Sequence, residues 1–289
     1  MIDIRLRSKI SEQELEQKIG KILTDEDYNL LVTKDTTIRG INGELVAVYQ
    51  KGIIPETVVD KTYPTLHDLR RQQTNNRGNA SGVPRIKRRI GNRTDTVKSV
   101  ASAIVGSMDA VGPFQYCRLT AYSGKETAKY KELFPLFEFI GNEMAKVAPE
   151  RYKAQMERVE NTHADWVIPN TPFTTITVNN SYPTGVHTDK GDLDEGISTL
   201  AVIKKGKING GYLVLPEYRV AFKMEHGDLL IFNAHEWHGN TELEKETEDG
   251  ERISVVCYYR TAMEKCESMD IENQKKIDYG QRRLTNDNI

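Results

Sequence analysis

The last third of the chain is broken too often to be helical. Between residues 173 and 260, short apolar runs at 173–179, 197–204, 211–215, 219–223, 228–233 and 252–260 alternate with turn residues. Each run is shorter than a stable helix. Many short strands at regular spacing suggest a sandwich, a barrel or a jelly roll. A length of 289 residues allows one large domain or two small ones. With 38% hydrophobic and 28% charged residues, the chain can fill a core, and wholesale disorder is excluded.

Upstream, the pattern predicts helices. Ser11 with Glu14 three residues on forms a capping box, and Leu15, Ile19, Ile22 and Leu23 make an apolar stripe, so 11–34 reads as a helix. Asn42-Gly43 marks a hairpin over 41–49. The stretch 70–95 reads as a basic loop and 96–110 as a helix with Val100, Ile104 and Val105 on one face. Residues 114–121 look like a strand ended by Ser123-Gly124. A long helix is expected over 126–147, carrying Tyr130, Leu133, Phe134, Phe137 and Ile140 inward, kinked at Pro135 and stopped by Pro149. The polar tail after Lys265 is expected to fray. The reading is an α+β chain whose helical N-terminal half packs on a C-terminal β-core. Its divisions are an extension at 1–64, a core domain at 65–265 and a tail at 266–289.

Cysteine is sparse. Cys117, Cys257 and Cys266 are odd in number and lack paired spacing, which argues for reduced thiols in an intracellular protein, cytoplasmic or nuclear. They also exclude a cysteine-built zinc site. No apolar run reaches the length of a membrane span or a signal sequence. The net charge of −2 hides an uneven distribution: Leu69 to Thr94 holds eight Lys or Arg and no acid, while acids dominate Glu242 to Glu251.

The chemistry starts at His187-Thr188-Asp189. In a strand, residues i and i+2 point the same way, so these two side chains can share a metal. His238, in HEWHGN, supplies a second imidazole. Two His and one carboxylate on one face form the facial triad of non-haem Fe(II) oxygenases, with open positions for a chelating cosubstrate and dioxygen. Taken alone, H-x-D is equally the pattern of a turn with an Asx interaction. Fourteen residues after His238 come Arg252 and Ser254, again i and i+2. Arg presents a planar fork to a carboxylate, and the hydroxyl can donate to the same group. The bland alternative is a surface Arg opening a core strand.

The ordered set resembles the 2-oxoglutarate/Fe(II) dioxygenases, which carry it on a double-stranded β-helix. The stretches FTTITVNNSYPTGVHTDKGD, GGYLVLPEYRVAF and GDLLIFNAHEWHGN are similar to the TET/JBP family, which hydroxylates the 5-methyl group of pyrimidines in DNA. They lean to its thymine-hydroxylating base-J-binding branch. CRLTAY at 117–122, APERYKAQ at 148–155 and, more loosely, RGNASG at 77–82 add to the resemblance, which covers about residues 65–263. It implies a jelly-roll core, Fe(II) on His187, Asp189 and His238, and 2-oxoglutarate on Arg252 with Ser254. It also implies O2 as cosubstrate and thymine in DNA, converted to 5-hydroxymethyluracil. The separate base-J-binding domain of that branch and the cysteine-rich region of the TET enzymes have no counterpart here, so the chain looks like a bare catalytic domain.

Other residues keep two readings. His235 competes with His238 as ligand, but strand alternation sends residues three apart to opposite faces; its alternative is a supporting or surface role. Trp237 is packing or a base-stacking platform. His226 reads as solvated, His163 and His67 as structural. Thr175, Thr177 and Asn179 share a strand face. If it points inward, Asn179 and Tyr182 contact cosubstrate or substrate; if outward, they are surface. Arg77, Arg85, Lys87, Arg88 and Arg89 either track nucleic-acid phosphates or pair with the acidic 242–251 loop. Rival functions are 5-methylcytosine oxidation, or the same chemistry on a free nucleotide, an amino acid or a protein side chain. Further rivals are a silent nucleic-acid-binding module and a zinc or manganese hydrolase on a cupin core. No obligate protein partner and no membrane attachment is evident.

Overall fold

The computed structural model describes residues 1–7, 9–74, 77–81 and 99–286. They form two compact units. Unit 1 is Met1–Ala103, Val178–Lys190 and Leu200–Val255; unit 2 is Ile104–Thr177, Gly191–Thr199 and Val256–Ile289.

Unit 1 opens with strand β1 (Ile2–Arg5) and a short helix, α1 (Glu12–Glu16). The capping box is present: Glu14 N donates to Ser11 Oγ, and Ser11 N donates to the Glu14 carboxylate at 3.1 Å. The helix nevertheless ends at Glu16, not near 34. Gly20 adopts φ +75°, and the backbone beyond pairs with distant strands. Gly20 N donates to Val186 O, Val186 N to Lys21 O and Leu23 N to Asn240 O, each at 2.9 Å. Isolated helical turns are marginal, so this tertiary pairing overrides the apolar stripe. Strands β2 (Leu30–Val32), β3 (Thr36–Arg39) and β4 (Leu45–Gln50) follow. β3 and β4 form the expected hairpin, with Gly43 at φ +86°. After helix α2 (Glu56–Asp68) and strand β5 (Gln73–Thr74) comes β6 (Val100–Met108), a strand where 96–110 had predicted a helix. A short, mostly buried apolar run has no period that separates the two states. The first 108 residues thus interleave strands β1–β6 with helices α1 and α2, so a helical N-terminal half is not confirmed.

In unit 2, β7 (Arg118–Leu119) pairs with Ser107 and Met108 of β6. Helices α3 (Ala121–Lys125), α4 (Thr127–Glu132), α5 (Phe134–Val147) and α6 (Pro149–Glu160) come next. Ser123-Gly124 lies inside α3, capped by Thr120, and does not terminate a strand. The expected long helix breaks at Leu133, and Pro135 enters the first turn of α5, where its missing N–H costs nothing. Pro149 plays the same part at the start of α6. Over its described residues the polar tail is helical rather than frayed, as α7 (Met269–Asn286). A disulfide between Cys117 and Cys266 anchors its approach, and Glu272 accepts from Cys117 N at 2.7 Å. This corrects the expectation of reduced thiols. A separation of 149 residues carries no pairing signal, and Cys257 is left as a buried free thiol.

The remaining strands are β8 (Thr175–Asn180), β9 (Ser198–Lys205), β10 (Ile208–Gly210), β11 (Leu213–Leu215), β12 (Val220–Phe222), β13 (Asp228–Phe232), β14 (Gly239–Asn240), β15 (Leu243–Lys245) and β16 (Glu251–Tyr258). All six strand runs expected between 173 and 260 are strands. The largest sheet has the strand order β1-β3-β4-β13-β9-β16-β8-β6-β5, with β7 paired to β6; a second, in unit 1, runs β14-β11-β12-β2, and β10 pairs with β15. Leu229, Leu230, Ile231, Val48 and Ala47 are buried where β13 meets β4.

Candidate active site

The second sheet of unit 1 continues past β14 through one further pairing. His187 and His238 exchange both backbone hydrogen bonds, at 2.9 and 3.0 Å. This sets their rings side by side, with centroids 4.3 Å apart. Asp189, two residues on, returns to the same face, and its N–H donates to Ala234 O at 3.0 Å. The carboxylate lies 3.6 Å from His187 Nε2 and 3.8 Å from His238 Nε2. One ligand atom from each of the three lies within 4.8 Å of the others, the spacing of donors around one ion.

The protonation of the donors suits a metal. His187 Nδ1 lies 2.8 Å from Gly185 O, and His238 Nδ1 lies 2.9 Å from Glu236 O. A carbonyl can only accept, so each Nδ1 donates to it and Nε2 is the ring nitrogen left to face a metal. Burial, and then the neighbouring His238, hold the pKa of His187 below the usual histidine range. Gly239 permits the close strand approach: a Cβ there would lie 3.1 Å from Val186 Cα.

Arg252 is the second half of the site. It sits on β16, 3% exposed, and its Nε and Nη2 have no hydrogen-bond partner. Burial lowers its guanidinium to about 10, with the charge of Glu225 acting the other way, so it stays charged at neutral pH. A buried, charged, unpaired fork is costly, and a carboxylate ligand is the group that relieves it. Gly211, at φ +64°, leaves the space: a Cβ there would meet Leu243 Cδ2 at 2.5 Å and Arg252 Nε at 3.3 Å. Ser254 is buried two residues along the same strand.

Sequence comparison bears directly on this arrangement. Residues 110–261 match the Tet_JBP family, described as the oxygenase domain of the 2OGFeDO superfamily. The chain belongs to this family. It is 38% identical over 166 residues to thymine dioxygenase JBP1-B of Trypanosoma cruzi (strain CL Brener), covering 56% of this chain and 20% of that protein. It is 32% identical over 238 residues to the bifunctional helicase and thymine dioxygenase JBP2 of Leishmania infantum, covering 81% of this chain and 20% of that protein. The chain thus spans about a fifth of the length of the curated relatives it matches. The solved structure of NgTET1 in complex with 5mC DNA superposes with a TM-score of 0.61 at 15% identity, over 93% of this chain and 99% of that one, which shows a shared fold.

Around this Tet_JBP centre the structure adds residues that sequence reasoning passed over. Asn240 is buried, with all its hydrogen-bonding capacity in use. Its Oδ1 accepts from Thr184 N at 3.1 Å and Thr184 Oγ1 at 2.7 Å, and its Nδ2 donates to Gly211 O and Tyr212 O at 3.3 Å. It ties together the turn before His187, the strand after His238 and the glycine beside Arg252. Its place two residues after the ligand was the available signal. Glu251 is a second hub: it accepts from Asn180 Nδ2 at 2.7 Å and Tyr63 OH at 2.6 Å, and His67 Nδ1 lies 2.9 Å away. His67 is thus tied to the strand that carries Arg252. The 19–23 segment, paired to Val186 and Asn240 as described, braces both ligand strands.

Asn179 is not a surface residue: it is buried, on a strand buried along its whole length. Asn179 Oδ1 accepts from Ser102 Oγ at 2.7 Å, from Arg77 Nη2 at 3.1 Å and from Tyr182 OH at 3.1 Å. Arg77 also donates to Ser102 Oγ at 2.8 Å, and its charge acts on His187. Its donors are thus turned to Ser102 and Asn179 rather than left to solvent. Arg85, Lys87, Arg88 and Arg89 lie outside the described residues. His235 is not part of the metal cluster. The cause is the turn over 233–236, not strand alternation. Trp237 packs on Leu23, Val186, Val214 and Ala221. His226 is not merely solvated: its Nε2 meets the Glu56 carboxylate at 3.0 Å and its Nδ1 meets Lys204 O at 2.8 Å. His163 caps a short turn of helix in unit 2.

Proposed function

We propose that this chain hydroxylates the 5-methyl group of thymine in DNA, giving 5-hydroxymethyluracil, with Fe(II), 2-oxoglutarate and O2. One observation carries the reading: three metal donors and a buried guanidinium with unpaired donors occur together in unit 1. Iron held by His187, Asp189 and His238, with 2-oxoglutarate bound, supplies the activation of dioxygen needed to oxidise an unactivated C–H bond. Arg252 takes the distal carboxylate of 2-oxoglutarate, aided by the Ser254 hydroxyl. Arg77, Asn179 and Tyr182 form a hydrogen-bonded group that positions cosubstrate or base beside His187. No protein acid or base is required. A thymine inside a duplex must be flipped out or offered single-stranded, and Arg85, Lys87, Arg88 and Arg89 are assigned to the phosphates.

The strands of unit 1 read as the two faces of a double-stranded β-helix, with 65–265 as the catalytic region. Thymine is favoured because the relatives named above are thymine dioxygenases. A DNA substrate places the enzyme inside a cell; the cysteine count no longer argues for this, because Cys117 and Cys266 are paired. The described residues contain no helix long and apolar enough to cross a membrane. The test is mass spectrometry of nucleosides from oligonucleotides containing either thymine or 5-methylcytosine as the one methylated base, incubated with Fe(II), 2-oxoglutarate and ascorbate. 5-Hydroxymethyluracil supports the reading. Product from 5-methylcytosine alone replaces the base, and succinate release with a free nucleotide or peptide only replaces DNA.

A further inference from the structure

Unit 1 carries a cavity of about 250 Å3 that shares no residue with the iron site. Its charged lining is Arg5, Arg7, Lys9, Arg219 and Glu217. Glu217 is taken by Lys9, whose Nζ lies 2.9 Å away. The guanidinium charges are not neutralised in this way. Arg5 donates to Ile41 O at 2.8 and 3.2 Å and Arg219 to Glu26 O at 3.0 Å, both neutral carbonyls. Arg7 has no carboxylate partner among the described residues. Arg5, Arg7 and Arg219 are exposed, and three guanidinium side chains around one cavity give it a local positive potential that favours an anion.

The backbone gives a second, independent sign. Arg219 sits in the left-handed region at φ +56° and ψ +41°. Its carbonyl accepts from Asn29 N at 3.0 Å and Leu30 N at 3.2 Å, which locks the conformation. Glycine would occupy this position without strain. A strained arginine at the rim of a cavity is the pattern of a side chain used for binding. A volume of about 250 Å3 has room for a phosphate group, and guanidinium forks match phosphate oxygens.

We propose that this cavity binds a phosphate group, and that the group is a backbone phosphodiester of the DNA strand; the second half rests on the function proposed above. The test compares the wild-type chain with Arg7→Ala, Arg219→Gly and the double variant. The affinity for a labelled duplex is measured against salt, alongside binding of inorganic pyrophosphate. Each lost phosphate contact flattens the log–log salt slope by ~0.9, so the double variant, which removes the one contact made here, should flatten it by about 0.9 and lose pyrophosphate binding. The melting temperature of Arg219→Gly should equal or exceed that of the wild type, which separates lost binding from lost folding. An unchanged slope together with unchanged pyrophosphate binding overturns the cavity as a site. Loss of pyrophosphate binding with an unchanged DNA slope overturns the strand and leaves a free phosphate compound as ligand. If the wild type neither binds nor hydroxylates DNA, the proposed function fails, and the pyrophosphate measurement alone decides the cavity.

Discussion

Each residue of the centre has a separable signature. Asp189 is the one carboxylate of the metal cluster, so Asp189→Ala should abolish turnover and lower Co(II) affinity by tenfold or more, with the fold kept by circular dichroism. If His235→Ala removed the metal and His238→Ala did not, the ligand assignment would be wrong. Arg252→Ala removes a charge-assisted contact to a desolvated carboxylate, worth about 2–5 kcal/mol. The 2-oxoglutarate KM should rise more than tenfold while metal affinity holds. Asn240→Ala leaves buried groups of Thr184, Gly211 and Tyr212 without their partner, at about 1–3 kcal/mol for each left unsatisfied. It should weaken both Co(II) and 2-oxoglutarate binding, where a ligand variant affects mainly the metal. An unaltered Co(II) titration would reduce Asn240 to a structural residue.

At the scale of elements, β16 and β8 are held in register near the site by Glu251. Burial works to raise its carboxyl, but hydrogen bonds from Asn180, Tyr63 and His67 outweigh it and keep the pKa below the usual range. A carboxyl with a depressed folded-state pKa contributes stability above its unfolded value, and that contribution is lost as pH falls through the folded value. Acid unfolding below about pH 4.5 should therefore be less steep in Glu251→Gln, which keeps the shape but cannot titrate. Equal acid midpoints, measured relative to each protein's neutral stability, would show that Glu251 does not drive the transition. Element boundaries also explain the misread helices. Residues 11–34 and 96–110 have helical spacing, yet the backbone groups at 20–23 pair with Val186 and Asn240, and β6 pairs with β5 and β7.

For the whole molecule, the long-range tie in unit 2 is the Cys117–Cys266 disulfide, which closes a loop of 149 residues. Cross-links of this kind typically stabilise by about 2–4 kcal/mol. Reduction, or Cys117→Ser, should lower the melting temperature by several degrees, and the wild type with and without reductant should bracket the variant. Identical melting curves with and without reductant would show that the bridge contributes nothing.

The clustering of His187 with Asp189 was legible because alternation brings i and i+2 to one face, whereas His238 and Arg252 were reached through their order along the chain and the family resemblance. The strands between 173 and 260 were legible because alternation and turn residues act locally. The disulfide, the short N-terminal helix, the strand at 100–108 and the hydrogen bonding of Asn179 and Arg77 were not. Each depends on which distant groups satisfy buried donors and acceptors. Helical periodicity at Leu15, Ile19 and Leu23 is compatible with either outcome until Val186 and Asn240 are brought alongside. That choice is made by tertiary pairing, because a buried N–H must find an acceptor wherever the fold places one.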